Sequence, residues 1–319
     1  TGSLGRALTM RLLAAGCRRV VVFSRDEVKQ AEVDARCGSH PNLRCFLGDV
    51  RDPPRLEEAF HGISTVIHAA ALKRVDAASY NPGEVVKTNI LGAMHVAQAA
   101  TAARVPRVLF LSTDKAVAPT TIYGASKLLA EAYLIHANAL SAPQGTAIAG
   151  LRYGNVLDSR GSVLHRFRAA AAAGRPLPIT HPDMTRFVLT IEQAVDRVLA
   201  ALARMQGGEV FVPKLPAMRV VDLAEAAAPG CPTEIVGQRP GGEKLHEALL
   251  TAEEITRTHR DGRPSRAPAL FLIRPSLHPW TTTPWPGSPV PAGFTYDSRT
   301  TRWRVTGAAL QRLLASIPP

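Results

Sequence analysis

The stretch RVLFLSTDKAVAPTTIYGASK (Arg107–Lys127) reads as three pieces: a buried strand, a short loop turned by a proline, and the opening of a helix. Branched and aromatic residues in an unbroken run signal a strand covered on both faces. Tyr123 leads Lys127 by one helical turn. The same rhythm recurs around it. RRVVVFS (Arg18–Ser24), LRCFLGDV (Leu43–Val50), STVIHAAA (Ser64–Ala71) and TAIAGLRYGN (Thr146–Asn155) read as further buried strands. Amphipathic segments lie near Leu4–Ala15, Pro54–Phe60, Gly83–Arg104 and Ile122–Asn138. Strand and helix in alternation give a parallel sheet with helices on both faces, so the predicted class is α/β, a doubly wound parallel sheet.

The rhythm loosens after Gly154. Helices are predicted near Ser162–Ala173, Ile191–Arg204, Met218–Ala228 and Gly241–Leu250, and a strand at Gly208–Lys214. Prolines crowd Arg263–Gly293, which predicts an extended segment. The expected division is 1–155 for a dinucleotide-binding domain and 156–262 for a smaller substrate-binding region whose chain crosses back to the first. Residues 263–319 would form a proline-rich C-terminal extension.

Composition narrows the function classes. The chain has 319 residues, 46% hydrophobic and 20% charged, with a net charge of +12 carried mostly by arginines that form no basic run. That pattern speaks against a nucleic-acid binder and for a phosphate-bearing small ligand together with surface charge. No apolar run is long enough to span a bilayer and no secretory signal is visible, so a cytoplasmic protein without membrane association is expected. Cys17, Cys37, Cys45 and Cys231 are scattered without metal-ligand spacing; reduced thiols and no metal are expected.

Gly2 and Gly5, in TGSLGRAL, precede a helix. A glycine turn onto a helix N-terminus lets backbone N–H groups approach a pyrophosphate, although an ordinary turn and cap would look the same. The first strand and first glycine of such a motif would precede Thr1, so the chain reads as incomplete at its start. The next strand ends FSRDEVK, with Ser24, Arg25 and Lys29 where an NAD-selective site carries an acid; these groups suit a 2′-phosphate and predict NADP. A solvated helix start, with Asp26 and Glu27 in its first turn, is the alternative. Asp49 in GDVRD suits the adenine amine or the cap of the following helix. In the opening stretch, an ammonium one turn from a phenol lowers the phenol's pKa. The phenolate can then take a proton from a sugar hydroxyl as hydride leaves the same carbon. The Tyr123–Lys127 pair follows a central strand and so lies at the carboxyl edge of the sheet, where ligands bind in such folds.

Taken together, SRDEVKQ, GDVRD, HAAALKRV, YNPGEVVKTNILGA, LSTDKAVAP, IYGASK, RYGNV, SRGSV, MTRF, GGEVFVPKLPAM and GEKLHE resemble the configuration-inverting UDP-N-acetylglucosamine 4,6-dehydratases. These are extended short-chain dehydrogenase/reductases of Rossmann type. The resemblance runs to about Leu250 and returns in FLIRPS and FTYDSRTTRW. It implies a hydro-lyase with tightly bound NADP, acting on UDP-N-acetylglucosamine to give UDP-2-acetamido-2,6-dideoxy-β-L-arabino-hex-4-ulose. That is the first step toward pseudaminic acid in surface and flagellar glycans. A homo-oligomer is implied as well.

Residue by residue, the resemblance implies that Tyr123 and Lys127 serve oxidation at C4, with Thr113 near O4. Lys115 is the base at C5 and Asp114 protonates the departing C6 hydroxyl. Thr1, Gly2, Ser3, Leu4, Gly5, Ser24, Arg25, Lys29, Asp49, Val50, Ala69, Ala70 and Ala71 would join Tyr123 and Lys127 around the cofactor. Lys73, Asn155, Arg239 and Glu243 would contact the sugar nucleotide. Arg186 is structural or substrate-binding, and Asn89 braces the catalytic loop. The sequence departs from the family in an extra glycine in RPGGEKLHE (Gly241 or Gly242) and in Ala118, where relatives carry Asn. The rival readings are a retaining nucleotide-sugar 4,6-dehydratase, which often has Met at the place of Tyr123 and carries transmembrane helices, a 4-epimerase, and a non-catalytic NADP-binding remnant.

Overall fold

The computed structural model describes residues 1–239, 241–262, 269–276 and 285–317. Its centre is a seven-stranded sheet in the order Ser288–Pro289, Thr258–Arg260, Leu270–Ile273, Val210–Pro213, Ala147–Leu151, Arg107–Leu111, Thr65–His68. The last four run parallel; Leu270–Ile273 joins Val210–Pro213 antiparallel and begins an antiparallel edge. Val20–Ser24 and Leu43–Leu47 form a separate parallel pair. Helices Ser3–Ala14 and Ile191–Arg204 pack together on one face, while Gly92–Ala102 and Ile122–Ser141 pack together on the other. This is the α/β parallel-sheet architecture the strand–helix rhythm predicts. Val108, Leu109 and Phe110 are almost wholly buried, as a strand covered on both faces requires.

A second core gathers Leu157, Leu164, Phe167, Leu177, Ile179, Met184, Val188 and Leu223 with Leu310 and Leu314 of the last helix, Gly307–Ala315. The strands Asn155–Val156 and Thr185–Leu189 pair in parallel beside it and carry site residues toward the carboxyl edge of the main sheet.

Several local expectations change. Helix Glu27–Arg36 forms, capped by Asp26, whose side chain accepts from the Lys29 N–H. The predicted helix Gly83–Arg104 is built as a short turn, a π-helical stretch at Val86–Leu91 and the helix Gly92–Ala102. The predicted strand Thr146–Asn155 is two strands, and Met218–Ala228 begins as a strand before turning helical at Val220. No helix forms at Gly241–Leu250. Gly241 and Gly242 adopt φ of +90° and +91°, outside the right-handed helical region, and Glu243 and Lys244 are drawn to partners elsewhere in the fold, Arg186 and the Asp114 and Val117 carbonyls. In the proline-rich tail, residues 263–268 and 277–284 lie outside the described residues, while Leu270–Ile273 is a buried strand of the main sheet. Among the described residues no helix is long and apolar enough to cross a membrane, and no cluster of three metal-ligating side chains occurs.

The catalytic helix and the loop before it touch backbone to backbone. A Cβ on Gly124 would stand 2.4 Å from the Lys115 carbonyl oxygen and 3.0 Å from Pro119 Cβ. Gly124→Ala is therefore expected to cost about 1–3 kcal/mol by overpacking. Thermal melting of both chains checks this; an unchanged melting temperature would show that the loop yields freely.

Candidate active site

The strand Arg107–Leu111 delivers the chain to Ser112, whose N–H donates to Leu151 O at 2.8 Å, and to Asp114, whose N–H donates to Tyr153 O at 3.1 Å. The turn Asp114–Ala116 that follows is capped by Thr113, and Thr121 caps helix Ile122–Ser141 by accepting from the Gly124 N–H at 3.0 Å. These two caps, with Gly124 flush against Lys115, set the predicted catalytic side chains on one small surface. Tyr123 stands beside Thr113, whose side chain favours the phenolate. The Thr113 hydroxyl donates to Asp114 Oδ1 at 2.9 Å, Lys115 Nζ donates to the same oxygen at 2.7 Å, and Lys115 Nζ also donates to Asn155 Oδ1 at 2.8 Å. Four of these residues, from two parts of the chain, thus form one continuous hydrogen-bonded array, with Tyr123 beside it.

Asp114 is fully buried and its Oδ2 has no hydrogen-bond partner. Burial raises its pKa, Lys115 opposes the rise, Glu247 reinforces it, and the net direction is up. A carboxyl group in that position tends to hold its proton and can donate it. Lys115 is the exposed edge of the array, with 26% of its side chain open.

One expectation about the Tyr123–Lys127 pair is corrected. Lys127 is buried and its ammonium donates to Leu111 O at 2.8 Å. Tyr123 is pushed above its ordinary value by burial, Tyr153 and Asp114 rather than brought down by Lys127. Burial lowers Lys127 to about 8, with Glu131 opposing. Glu131, the next residue on the same helix face, is held by Arg152, which also binds Glu254 at 2.9 and 2.6 Å.

On the substrate side, Arg239 donates to Glu243 Oε2 at 3.0 Å, and Arg186 donates to Glu243 Oε1 at 2.9 Å. Gly241 and Gly242 sit in a close loop. A Cβ at Gly241 would come 2.5 Å from Ser79 Oγ and one at Gly242 would come 2.8 Å from Thr120 O, so this segment lies directly over the catalytic loop. Ala118 has φ +44°, a left-handed conformation that Asn adopts more readily than Ala. Lys73 is exposed in the loop after Thr65–His68. Asn89, expected to brace the catalytic loop, ties the loop after Thr65–His68 to the catalytic helix instead: it accepts from Leu72 N–H at 2.7 Å and donates to Leu72 O at 3.0 Å and Ser126 Oγ at 2.9 Å.

On the cofactor side, Gly2 precedes helix Ser3–Ala14 with no side chain capping the helix, and a Cβ on Gly2 or Gly5 would meet nothing within 4 Å. Packing does not demand these glycines; space above a bare helix N-terminus does fit a pyrophosphate. Ser3 Oγ accepts from Arg160 N–H at 3.2 Å beside Leu4 in the first turn, and Thr1 Oγ1 lies 3.1 Å from Ser24 Oγ. Arg25, 53% exposed, is only loosely held at 3.6 Å from Asp49. Lys29 is tied to Asp26. Asp49 is bound by Arg51 at 2.7 Å, and the helix after it is capped by Asp52 instead. Val50 is buried against Gly92, whereas Ala69 and Ala70 are exposed and Ala71 partly so at the carboxyl edge.

Sequence reasoning passed over Lys244 and Glu247, which complete the array from behind. The charges of KLHE were visible, but their partners Lys115, Val117 and Arg186 lie far away in the sequence.

The family model for polysaccharide biosynthesis proteins matches residues 1–267. UDP-N-acetylglucosamine 4,6-dehydratase (inverting) of Campylobacter jejuni is 43% identical over 261 residues, 81% of this chain and 78% of that one. UDP-glucose 4-epimerase of Rickettsia massiliae is 40% identical over 265 residues, 81% and 77% of the two chains. The X-ray structure of Pen from Bacillus thuringiensis superposes with a TM-score of 0.88 at 31% identity, covering 99% of this chain and 96% of that one. A dTDP-glucose 4,6-dehydratase of Streptomyces venezuelae with NAD and TYD bound shares the fold, with a TM-score of 0.67 at 22% identity over 76% and 84% of the chains.

Lys127 gives a stability prediction. Its pKa falls from 10.5 unfolded to about 8 folded, so the folded state binds the proton less tightly. Its contribution to stability is full above the unfolded pKa and is lost as the pH falls toward the folded one. Lys127→Met should therefore leave the chain more stable at pH 7, by up to about 3 kcal/mol, with the gain vanishing at alkaline pH. Urea unfolding of both chains at pH 7 and pH 10 checks it; a variant less stable at pH 7 would contradict it.

Proposed function

The chain belongs to the polysaccharide biosynthesis protein family, and from that premise we propose that it is a UDP-N-acetylglucosamine 4,6-dehydratase that inverts C5. The observation that carries this is the hydrogen-bonded array in which an acid with a raised pKa, Asp114, and an amine, Lys115, adjoin Tyr123. Oxidation and reduction at C4 alone need no such second pair. A nicotinamide dinucleotide over Gly2 and Gly5 would supply the hydride acceptor for C4 and return the hydride to C6.

The chain's own residues supply the proton steps. Tyr123 takes the proton of the C4 hydroxyl as a phenolate, which the positive ring of a bound oxidised dinucleotide would favour against the rise that burial causes, and Thr113 steers that oxygen. The resulting ketone acidifies the C5 proton, which Lys115 removes as the neutral amine, its resting proton having passed to water at its open edge. Asp114 gives its proton to the C6 hydroxyl, which leaves as water. C5 is reprotonated from the opposite face, which inverts it. Net, one water is lost and no hydride is consumed. Arg186 and Arg239, gathered on Glu243, suit the diphosphate of the nucleotide sugar, and Asn155 and Lys73 the sugar side.

The finer cofactor assignment is NADP, with the 2′-phosphate on Arg25 and Ser24. What supports it is the loosely held Arg25 guanidinium and the lack of an acid at the strand tip. Arg25→Ala should reduce the preference for NADP over NAD about tenfold, as one lost charge-assisted contact does. Titration calorimetry with each cofactor reads this; equal dissociation constants in the unmutated protein would refute it.

The alternative is a 4-epimerase, which the Rickettsia relative favours. The two readings differ at C5. In deuterium oxide a dehydratase exchanges the C5 hydrogen, and Lys115→Ala should slow that exchange about 10²–10⁴-fold while dinucleotide binding persists. NMR of the sugar nucleotide measures it; exchange at the native rate in the variant would remove Lys115 from the role.

A further inference from the structure

Glu247 lies behind the array, and three cations converge on it. Lys244 Nζ is 2.8 Å from Oε2, Lys115 Nζ 3.6 Å from Oε1, and Arg186 Nε 3.9 Å from Oε1. The residue is 2% exposed, and its backbone is pinned at both ends by one buried serine: Glu247 N–H donates to Ser298 Oγ at 2.9 Å and Ser298 N–H donates to Glu247 O at 2.7 Å. Lys244 in turn donates to Val117 O at 2.7 Å and Asp114 O at 3.1 Å, on the catalytic turn itself. A carboxylate this deeply buried and this well fixed is not a solvated ion pair. Its attraction acts at low dielectric on whatever lies beside it.

We propose that Glu247 is a positioning residue of this site: its charge, held in place by Lys244, sets Lys115 between two acidic side chains and keeps the proton on Asp114 rather than on itself. The inference rests on the dehydratase reading above for what that proton does. The Lys115 ammonium bridges Asp114 Oδ1 at 2.7 Å and Glu247 Oε1 at 3.6 Å, so the two acids compete for one cation. Glu247 wins charge more cheaply because Lys244 and Arg186 face it too. Its pKa is held at about 2 by Lys115, Arg186 and Lys244 against the rise that burial alone would cause, while Asp114 moves up. The other ionisable groups around the pair are Tyr123 and Tyr153 beside Asp114, and Glu243 and His246 around Arg186. The same carboxylate joins the Arg186–Glu243–Arg239 clamp to the proton-transfer pair, so the arrival of a diphosphate at the clamp would be felt at Asp114.

The sign of the effect distinguishes this role from a structural one. Removing the Glu247 charge removes a like charge from beside Asp114, so Asp114 should titrate at lower pH. Removing the Lys244 charge should do the reverse. The test follows the Asp114 carboxyl carbon by NMR through a pH titration of the chain without substrate, with the signal assigned by its loss in Asp114→Asn. It is repeated in Glu247→Gln, Glu247→Asp and Lys244→Met. The expected result is a downward move of about one pH unit in Glu247→Gln, an upward move in Lys244→Met and an unchanged midpoint in Glu247→Asp. The limb of the dehydration pH–rate profile on which activity is lost as Asp114 ionises should follow the same moves. Midpoints that stay put in both Glu247→Gln and Lys244→Met, or move together in one direction, would overturn the proposal. Should Glu247→Gln fail to fold, the opposite-signed move in Lys244→Met and the fixed midpoint in Glu247→Asp still decide it. The carboxyl titration needs no turnover, so it stands or falls apart from the dehydratase reading, which fails instead if the unmutated chain forms no 6-deoxy product.

Discussion

Asp114 is a carboxyl group with no exposed surface, anchored by a backbone bond to Tyr153 and sharing one oxygen between a threonine hydroxyl and a lysine ammonium. Much of the rest is arranged around keeping it there. The parallel strands end together so that Ser112–Lys115 and Tyr153–Asn155 meet. Gly124 lets the helix close on Lys115. The segment after Gly242 folds back over the loop to bring Lys244 and Glu247 beneath it. A charge-bearing group without water is costly unless its partners are fixed, and here each partner is itself held by a second bond.

A similar balance operates one layer deeper. Lys127 and Arg152 bring two positive charges into the interior, and Glu131 and Glu254 bring two negative ones. Glu254 also caps its own short helix at Thr251, so the catalytic helix is tied through Arg152 to a segment more than a hundred positions along the chain. Such a buried set contributes little net stability compared with apolar packing, but it fixes which elements lie side by side. The site therefore depends on contacts far from the residues that would touch substrate.

The parts legible in the sequence are those governed by local rules. The strands Val20–Ser24, Arg107–Leu111 and Ala147–Leu151 announced themselves by unbroken apolar runs, and the catalytic loop by its position after a central strand. Thr113, Asp114, Lys115 and Asn155 meet in one hydrogen-bonded array, with Tyr123 beside it. What sequence reasoning missed was set by tertiary contacts. Residues 241–250 have the composition of a helix, yet two glycines at positive φ and the remote partners of Glu243 and Lys244 draw them into an irregular clamp. Lys127 stands one turn from Tyr123 as predicted, but a carbonyl at the end of the neighbouring strand captures its ammonium, which no spacing rule could reveal.

The central claim is that this site removes water across C5 and C6 after oxidising C4, rather than merely inverting C4. UDP-N-acetylglucosamine carrying deuterium at C4 separates the two. On incubation with the chain and NADP, the account predicts that NMR and mass spectrometry of the product will show the deuterium in a C6 methyl group, next to a C4 ketone and an inverted C5. Deuterium found back at C4 of an epimerised sugar that keeps its C6 hydroxyl would contradict it.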